Sequence, residues 1–262
     1  MIMKKEMYVH FHADEHRFVD QAQEWIDRAA HHHLVKRTDF LDPRQKFILD
    51  SLVHRSTGVQ IRFDGGYEHA ERMRAIIAPD DGSIEDQDSL IGVLAVELRD
   101  RKLVTLEHRD YLGAILGLGM KRDKIGDLHL LENGCHYLVT VEAGQYLHTH
   151  LSQIHKHHVY TELTTVDQLQ WTPSTYEDMM ISVASMRLDS IVSDVLHLSR
   201  AKALIPIQAK RCRVNWRVIE DPSYFVKIDD LISVQGFGRF KVLDVEGLSK
   251  KGRTRVKVGK LV

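Results

Sequence analysis

Cysteine, long apolar runs and repeats are all scarce in this chain, and each scarcity removes a class of protein. Only two cysteines occur in 262 residues, Cys135 and Cys212, far apart and each in an apolar context. Such a pair reads as two buried small hydrophobes rather than a disulfide, which fits a reducing cytoplasm. No apolar run approaches the roughly 18–20 residues of a membrane span, so no membrane partner is expected. The opening MIMKKEMYVHFHADEH has neither the apolar stretch nor the small-residue cleavage site of a secretory signal. No internal repeat or low-complexity tract appears. The expected location is the cytoplasm.

What is present is a globular composition, 43% apolar and 28% charged, long enough for two or three small domains. The near-neutral balance of 36 Lys/Arg against 37 Asp/Glu hides an asymmetry. Residues 185–262 hold 16 Lys/Arg against 8 Asp/Glu, a net of +8, which leaves residues 1–184 at −9. A basic C-terminal module on an acidic body points to a polyanion partner for one end.

Periodicity predicts an α+β chain in three parts: an α-rich N-terminal domain (1–82), a middle domain (88–170) and the basic domain (183–262). In the first, Phe18, Ala22, Trp25, Ile26, Ala29 and Ala30 recur at helical spacing over 14–34, with Asp14 as cap. Asp42-Pro43 opens a second helix, and 59–63 is a strand stopped by Asp64-Gly65-Gly66. An acidic turn-rich stretch runs from Pro79 through Asp88. The middle region reads as strand 90–98, helix 109–118, strands 127–131 and 135–141, helix 145–154 and strand 159–163. That βαββαβ order is the ferredoxin-like one also used by RNA-recognition domains. Thr172-Pro173-Ser174 marks the next boundary.

In the basic domain, Leu188, Ile191, Val192, Val195 and Leu196 form one helical face. Ser199 is placed to cap a second helix that Pro206 should end or kink. Arg200 and Lys202 then point outward at its start. Residues 213–218 alternate as a strand would, Val214, Trp216 and Val218 on one face and Arg213, Asn215 and Arg217 on the other. Gly236-Phe237-Gly238 leads into a strand carrying Arg239 and Lys241. A last strand, the C-terminal extension, sets Arg253, Arg255 and Lys257 against Val256 and Val258. Together with Lys210, these cations make a surface suited to phosphates.

The run Arg187-Leu188-Asp189, Ser199-Arg200-x-x-Ala203, Val214-Asn215 and Asp230-x-Ile232-Ser233-Val234 resembles the small RNA-binding domain named after ribosomal protein S-four. Glycine is usual in that domain where Lys210, Trp216 and Asp229 stand here, and leucine where Pro206 stands. The Lys210 change asks a non-glycine to close the second helix. Further runs narrow the likeness: Asn215-Trp216, Gly236-Phe237-Gly238-Arg239-Phe240, His108-Arg109-Asp110-Tyr111-Leu112-Gly113, Phe63-Asp64-Gly65-Gly66-Tyr67 and the segment from Lys121 to Leu128. With these the chain is similar, over nearly its full length, to bacterial YlmH-type proteins. The resemblance implies a role in ribosome-associated quality control. There the family meets large ribosomal subunits still carrying peptidyl-tRNA and supports template-free extension of the stalled chain. Ribosomal RNA, tRNA and further quality-control factors are the implied partners. By the same resemblance Arg187, Ser199, Arg200, Lys202, Asn215 and Arg217 contact RNA. Arg200 and Lys202 would meet phosphates and Asn215 a base edge or ribose hydroxyl.

Other constellations are weaker. Seventeen histidines include His12 and His16 at i, i+4, but no third ligand has convincing spacing, so no metal is expected. His108-Arg109-Asp110 lacks the loops that accompany it in kinases, and pseudouridine synthases have one more residue in their motif. Asp110 reads instead as a helix-start residue, and Gly117-Leu118-Gly119 as a helix end. Arg109, Lys121, Arg122 and Lys124 form a candidate second RNA-facing patch or ordinary loop charges. The middle sheet lacks aromatic strand motifs, with Tyr137 the one candidate for stacking a base. The reading is a non-catalytic RNA-binding factor without cofactor or small-molecule substrate. The alternative is an RNA-modifying enzyme, a synthase or methyltransferase, tethered by the same module.

Overall fold

The computed structural model describes residues 8–85, 89–99, 106–173, 175–249 and 252–261. Residues 1–7, the end of the acidic stretch (86–88) and Ser174 of the second boundary lie outside them. The chain is α+β throughout. It divides into two compact units, Met1–Thr172 and Pro173–Val262.

In the first unit, helix α1 (His16–His32) buries Val19, Ala22, Ile26 and Ala29, a stripe at helical spacing. The expected start at Asp14 is corrected: Ala13–Glu15 form a 3₁₀ turn, and Asp14 bonds His12. Asp42 caps α2 (Pro43–Val53) as the sequence predicts. It accepts from the Gln45 amide at 2.8 Å, while the Gln45 side chain accepts from the Asp42 amide at 3.0 Å. Three strands, not one, accompany these helices: β1 (Lys36–Leu41), β2 (Val59–Asp64) and β3 (Met73–Pro79), antiparallel in the order β1-β3-β2. β3 escaped the sequence reading because a central strand buried from Arg74 to Pro79 shows no alternation.

The rest of this unit is β4 (Ile91–Leu98), α3 (His108–Gly117), β5 (Ile125–Leu131), β6 (Gly134–Thr140), α4 (Val141–His150), β7 (Gln153–Ile154) and β8 (His157–Thr164). Strand order β5-β6-β4-β8-β7, all antiparallel, is the ferredoxin-like arrangement with a short strand added at one edge. α4 begins four residues before the expected 145, because the Thr140 hydroxyl caps it by accepting from the Ala143 amide. The helix also ends earlier than expected, at His150 with Leu151 extended, and Ile154 falls in β7.

One face of this sheet packs Leu94, Val96, Cys135 and Tyr137 against Tyr111 and Ile115 of α3 and Leu147 of α4. Tyr137 is fully buried there, its hydroxyl donating to the Tyr111 carbonyl at 3.0 Å. It is a core residue, and its expected use as a base platform is corrected. On the other face Phe40 of β1 packs on Val93 and Leu138, with Tyr67, Val166 and Leu169 around them. Asp127 of β5 fixes this junction. It accepts from the Tyr67 hydroxyl at 2.8 Å and from the Glu71 and Arg72 amides at 2.7 and 3.1 Å. The Phe-Asp-Gly-Gly-Tyr run serves the same packing. Gly66 has φ 84°, and a Cβ there would meet a Leu138 methyl at 2.6 Å.

The second unit holds β9 (Tyr176–Val183), α5 (Leu188–Val195), α6 (Arg200–Gln208), β10 (Cys212–Val214), β11 (Arg217–Val218), β12 (Leu231–Val234), β13 (Gly238–Leu248) and β14 (Thr254–Leu261). The sheet runs β11-β10-β12-β13-β14-β9. β9, absent from the sequence reading, pairs along β14 from Val183↔Thr254 to Tyr176↔Leu261. Ile191, Val192, Ala203 and Ile207 of the helices cover Val214, Ile232, Phe240, Val242, Val256 and Val258 of the sheet. Cys135 and Cys212 are free and buried. Pro206 does not stop α6, which runs on to Gln208 with Pro206 buried inside it.

The supposed strand 213–218 is a hairpin. Arg213 pairs with Val218 and Val214 with Arg217, across a two-residue turn of Asn215 and Trp216 at φ 49° and 64°. Both φ values positive is the signature of the tight turn that suits strand twist, and strict alternation concealed it. The three positions where S-four-type domains carry glycine, Lys210, Trp216 and Asp229, have φ of 60°, 64° and 70°. The backbone thus keeps a left-handed conformation where this chain has a side chain, at about 1–2 kcal/mol each. Lys210→Gly is expected to raise the unit's stability by ~1 kcal/mol. Urea melts check it, and an unchanged or lower midpoint would mean that the exposed Lys210–Glu220 pair outweighs the backbone strain.

Candidate nucleic-acid interface

The first unit's cleft, about 1000 Å³, is lined by Phe63, Tyr67, Leu90, Ile91 and Val166, with Arg62 its one cation among the lining residues. The excess of positive charge lies in the second unit.

There the backbone of 186–188 runs antiparallel to 224–226, and Arg187 forms the N-cap of α5. Two residues on, Asp189 is 2% exposed and lies in the first turn. Its Oδ1 accepts from the Ser190 amide at 2.8 Å and from Arg187 Nε at 3.1 Å. Its Oδ2 accepts from Arg187 Nη2 at 3.1 Å and from Arg200 Nε and Nη2 at 3.1 and 2.9 Å. A buried carboxylate thus grips two guanidiniums that are themselves part-exposed, 39% for Arg187 and 60% for Arg200. Burial pushes the Asp189 carboxyl upward, but the bonds from Arg187 and Arg200 more than offset this and hold it below the usual carboxylate range. Each arginine offers Asp189 one edge and keeps donors on the other. The trio carries a net positive charge beside the start of α6, where Ser199 caps by accepting from the Lys202 amide at 3.3 Å.

The other expected residues lie elsewhere on the unit. Arg213, Ser233 and Arg239 form one cross-strand row, and Lys241 stands two residues beyond Arg239. They alternate with Val214, Ile232 and Phe240, so they occupy the sheet face turned away from the helices. Lys241 pairs there with Asp229 at 2.8 Å. Arg217 lies on the opposite side from Arg213, because it pairs with Val214. The single Arg213/Asn215/Arg217 face is therefore corrected. Asn215 is not free for a base either: its amide donates to Asp230 Oδ1 at 2.7 Å and its carbonyl accepts from the Leu231 amide at 2.9 Å. Its side chain ties the hairpin turn to the start of β12.

Lys210 pairs with Glu220 at 3.2 Å. Lys202, Arg211, Arg213, Arg217 and Lys227 are exposed with no acidic partner among the described residues. The second patch fares worse. Arg122 donates to the Ile125 and Gly126 carbonyls, Lys124 pairs with Asp39 at 2.6 Å, and Arg109 pairs with Glu107 at 3.0 Å. Of these four, only Lys121 projects as an exposed cation without a partner among the described residues. Asp110 accepts from the Glu107 amide, as a helix-start residue does, and also bonds His155.

Sequence reasoning missed Asp189 as the organiser, although the Arg187-x-Asp189 spacing at a helix start was its available signal. It also missed Phe225, which is 62% exposed beside Arg187.

The depressed Asp189 carboxyl has a consequence for acid stability. Its contribution is fully present above the unfolded value near pH 4 and is lost as pH falls through the lower folded value. Asp189→Asn is expected to cost about 1–3 kcal/mol near pH 7. In urea melts the gap from the native chain should narrow as pH falls below the unfolded carboxyl value. A gap that persists in acid would mean the charge is not what stabilises the cluster.

Two family models match the chain: "YlmH, N-terminal" over residues 14–82 and "Putative RNA-binding domain in YlmH" over residues 85–168. The "Ribosome-associated protein quality control protein P2" of Bacillus subtilis (strain 168) is 37% identical over 251 residues, covering 96% of this chain and 97% of that protein. The structure of "Cell division protein ylmH from Streptococcus pneumoniae" shares the fold, with TM-score 0.54 at 22% identity, over 62% of this chain and 98% of that one. On these matches and the geometry they accompany, the chain belongs to the YlmH family.

Proposed function

We propose that this protein is a non-catalytic RNA-binding factor of ribosome-associated quality control in the cytoplasm. It binds ribosomal RNA, peptidyl-tRNA or both on stalled large subunits and supports template-free extension of the nascent chain. The observation that carries this reading is the Arg187–Asp189–Arg200 cluster, two guanidiniums held in fixed orientation at a capped helix start within a module of net +8. The matched RNA-binding model, over residues 85–168 rather than this cluster, supports RNA binding by the chain, and the relative named for ribosome-associated quality control supports the setting. A guanidinium fixed in this way meets a phosphate with little loss of side-chain entropy.

The expected behaviour is phosphate-led binding. Affinity for purified large ribosomal subunits falls linearly with salt on logarithmic axes. Arg200→Ala weakens binding and makes the slope shallower by about 1, as loss of one phosphate contact requires. Co-sedimentation over a salt series reads both. Association that is weak and salt-independent in the native chain would overturn the reading.

A further inference from the structure

The segment 224–226 lies against 186–188 through two backbone bonds, Leu188 N–H to the Tyr224 carbonyl at 2.9 Å and Val226 N–H to the Met186 carbonyl at 2.8 Å. Arg187 and Phe225 sit between these bonds as a directly opposed antiparallel pair. In a pair flanked in this way the two residues exchange no hydrogen bond of their own, and their side chains stand closest, on one face. The alternation agrees. Met186, Leu188 and Val226 are buried and Tyr224 packs on the core, which turns Arg187 and Phe225 outward together.

Phe225 is 62% exposed, one of the most exposed large apolar side chains in the unit, and no ring contact within the chain involves it among the described residues. A phenyl ring left in water loses the gain that burial would bring, and here it stands at the side of the Arg187–Asp189–Arg200 cluster. Lys227 follows two residues on, exposed. The nearby acids are already engaged: Asp189 by the two arginines, Asp221 by the Ser223 amide and hydroxyl. A flat ring beside phosphate-binding cations matches a nucleotide, which presents a charged phosphate and a π-face a few ångströms apart. An apolar protein segment would match the ring and leave the cations unanswered.

We propose that Phe225 is a stacking platform for an unpaired RNA base whose backbone phosphate is held by the Arg187–Arg200 cluster. The inference rests on the proposed RNA-binding function and adds to it a base contact that is not electrostatic.

The test uses the full chain with two probes, intact large ribosomal subunits and protein-free large-subunit ribosomal RNA. Phe225→Ala is expected to weaken binding to both roughly tenfold or more, with the salt slope unchanged. Phe225→Leu should lose as much, because an aliphatic side chain offers no π-face, and Phe225→Trp should restore the affinity. As Phe225 is exposed, thermal melts of the three variants should match the native chain. Unchanged affinity in Phe225→Ala, or full retention in Phe225→Leu, would overturn the proposal. A loss seen with intact subunits but not with bare RNA would assign the ring to a ribosomal protein instead, and equally overturn it. Native chain that binds neither probe would instead sink the function proposed above, an outcome these variants leave separate.

Discussion

A carboxylate that is almost wholly withdrawn from water must be surrounded by donors, and Asp189 sets much of the second unit by meeting that requirement. Its donors come from three places: the first turn of α5, the N-cap Arg187 and the first residue of α6. Satisfying it therefore brings the starts of both helices together across an 11-residue separation in sequence. The same cap residue pairs with Phe225, so the strand-like segment 224–226 is registered by the same arrangement. Removing the carboxylate would leave two guanidiniums without their common acceptor, which is why the cluster acts as one piece rather than as two surface ion pairs.

A second carboxylate has the corresponding place in the first unit. Asp127 takes its three donors from Tyr67, Glu71 and Arg72, and so closes one sheet face against the segment that precedes it. The functional consequence is negative for one mode of binding. In RNA-recognition domains the open sheet face presents aromatic rings to bases. Here Val93 and Leu138 on that face are fully buried under Phe40, and the aromatic side chain of β6, Tyr137, faces the helices. The ferredoxin-like topology is kept while the surface that usually goes with it is occupied. The sheet face is thereby closed to base stacking, and RNA contact by residues 85–168, which the RNA-binding family model matches, would need another surface of this domain.

The same contrast explains what could be read from sequence. The βαββαβ order was legible because each element has its own periodicity and stop signals, and capping at Asp42 and Ser199 follows from local chemistry. Strands β1, β3 and β9 were not legible, since a strand's pairing partner is a distant segment and β3, buried on both faces, does not alternate. The 213–218 error has a different origin. Alternation is equally consistent with one strand and with two strands joined by a two-residue turn, and Asn215-Trp216 lacks the glycine that usually signals the turn. Net charge singled out the basic unit. It did not say which cations are spent internally, because Arg122 on carbonyls and Lys124 on Asp39 are decided by the fold.

Those internal partners sort the basic surface into two kinds of cation. Lys210 with Glu220, Lys241 with Asp229 and Lys257 with Asp178 are side-chain pairs at the surface, where an ion pair contributes about 0–1 kcal/mol. A phosphate can replace such an acid at little cost, so these lysines follow whatever backbone approaches. Arg187 and Arg200 cannot exchange Asp189 in this way, because the displaced carboxylate would remain buried without donors. They can only add a phosphate on their free edges, in the orientation the carboxylate imposes. Charge that adapts gives affinity, and charge that is fixed gives register. A surface containing both can be drawn to any polyanion by the first and still prefer one backbone path by the second.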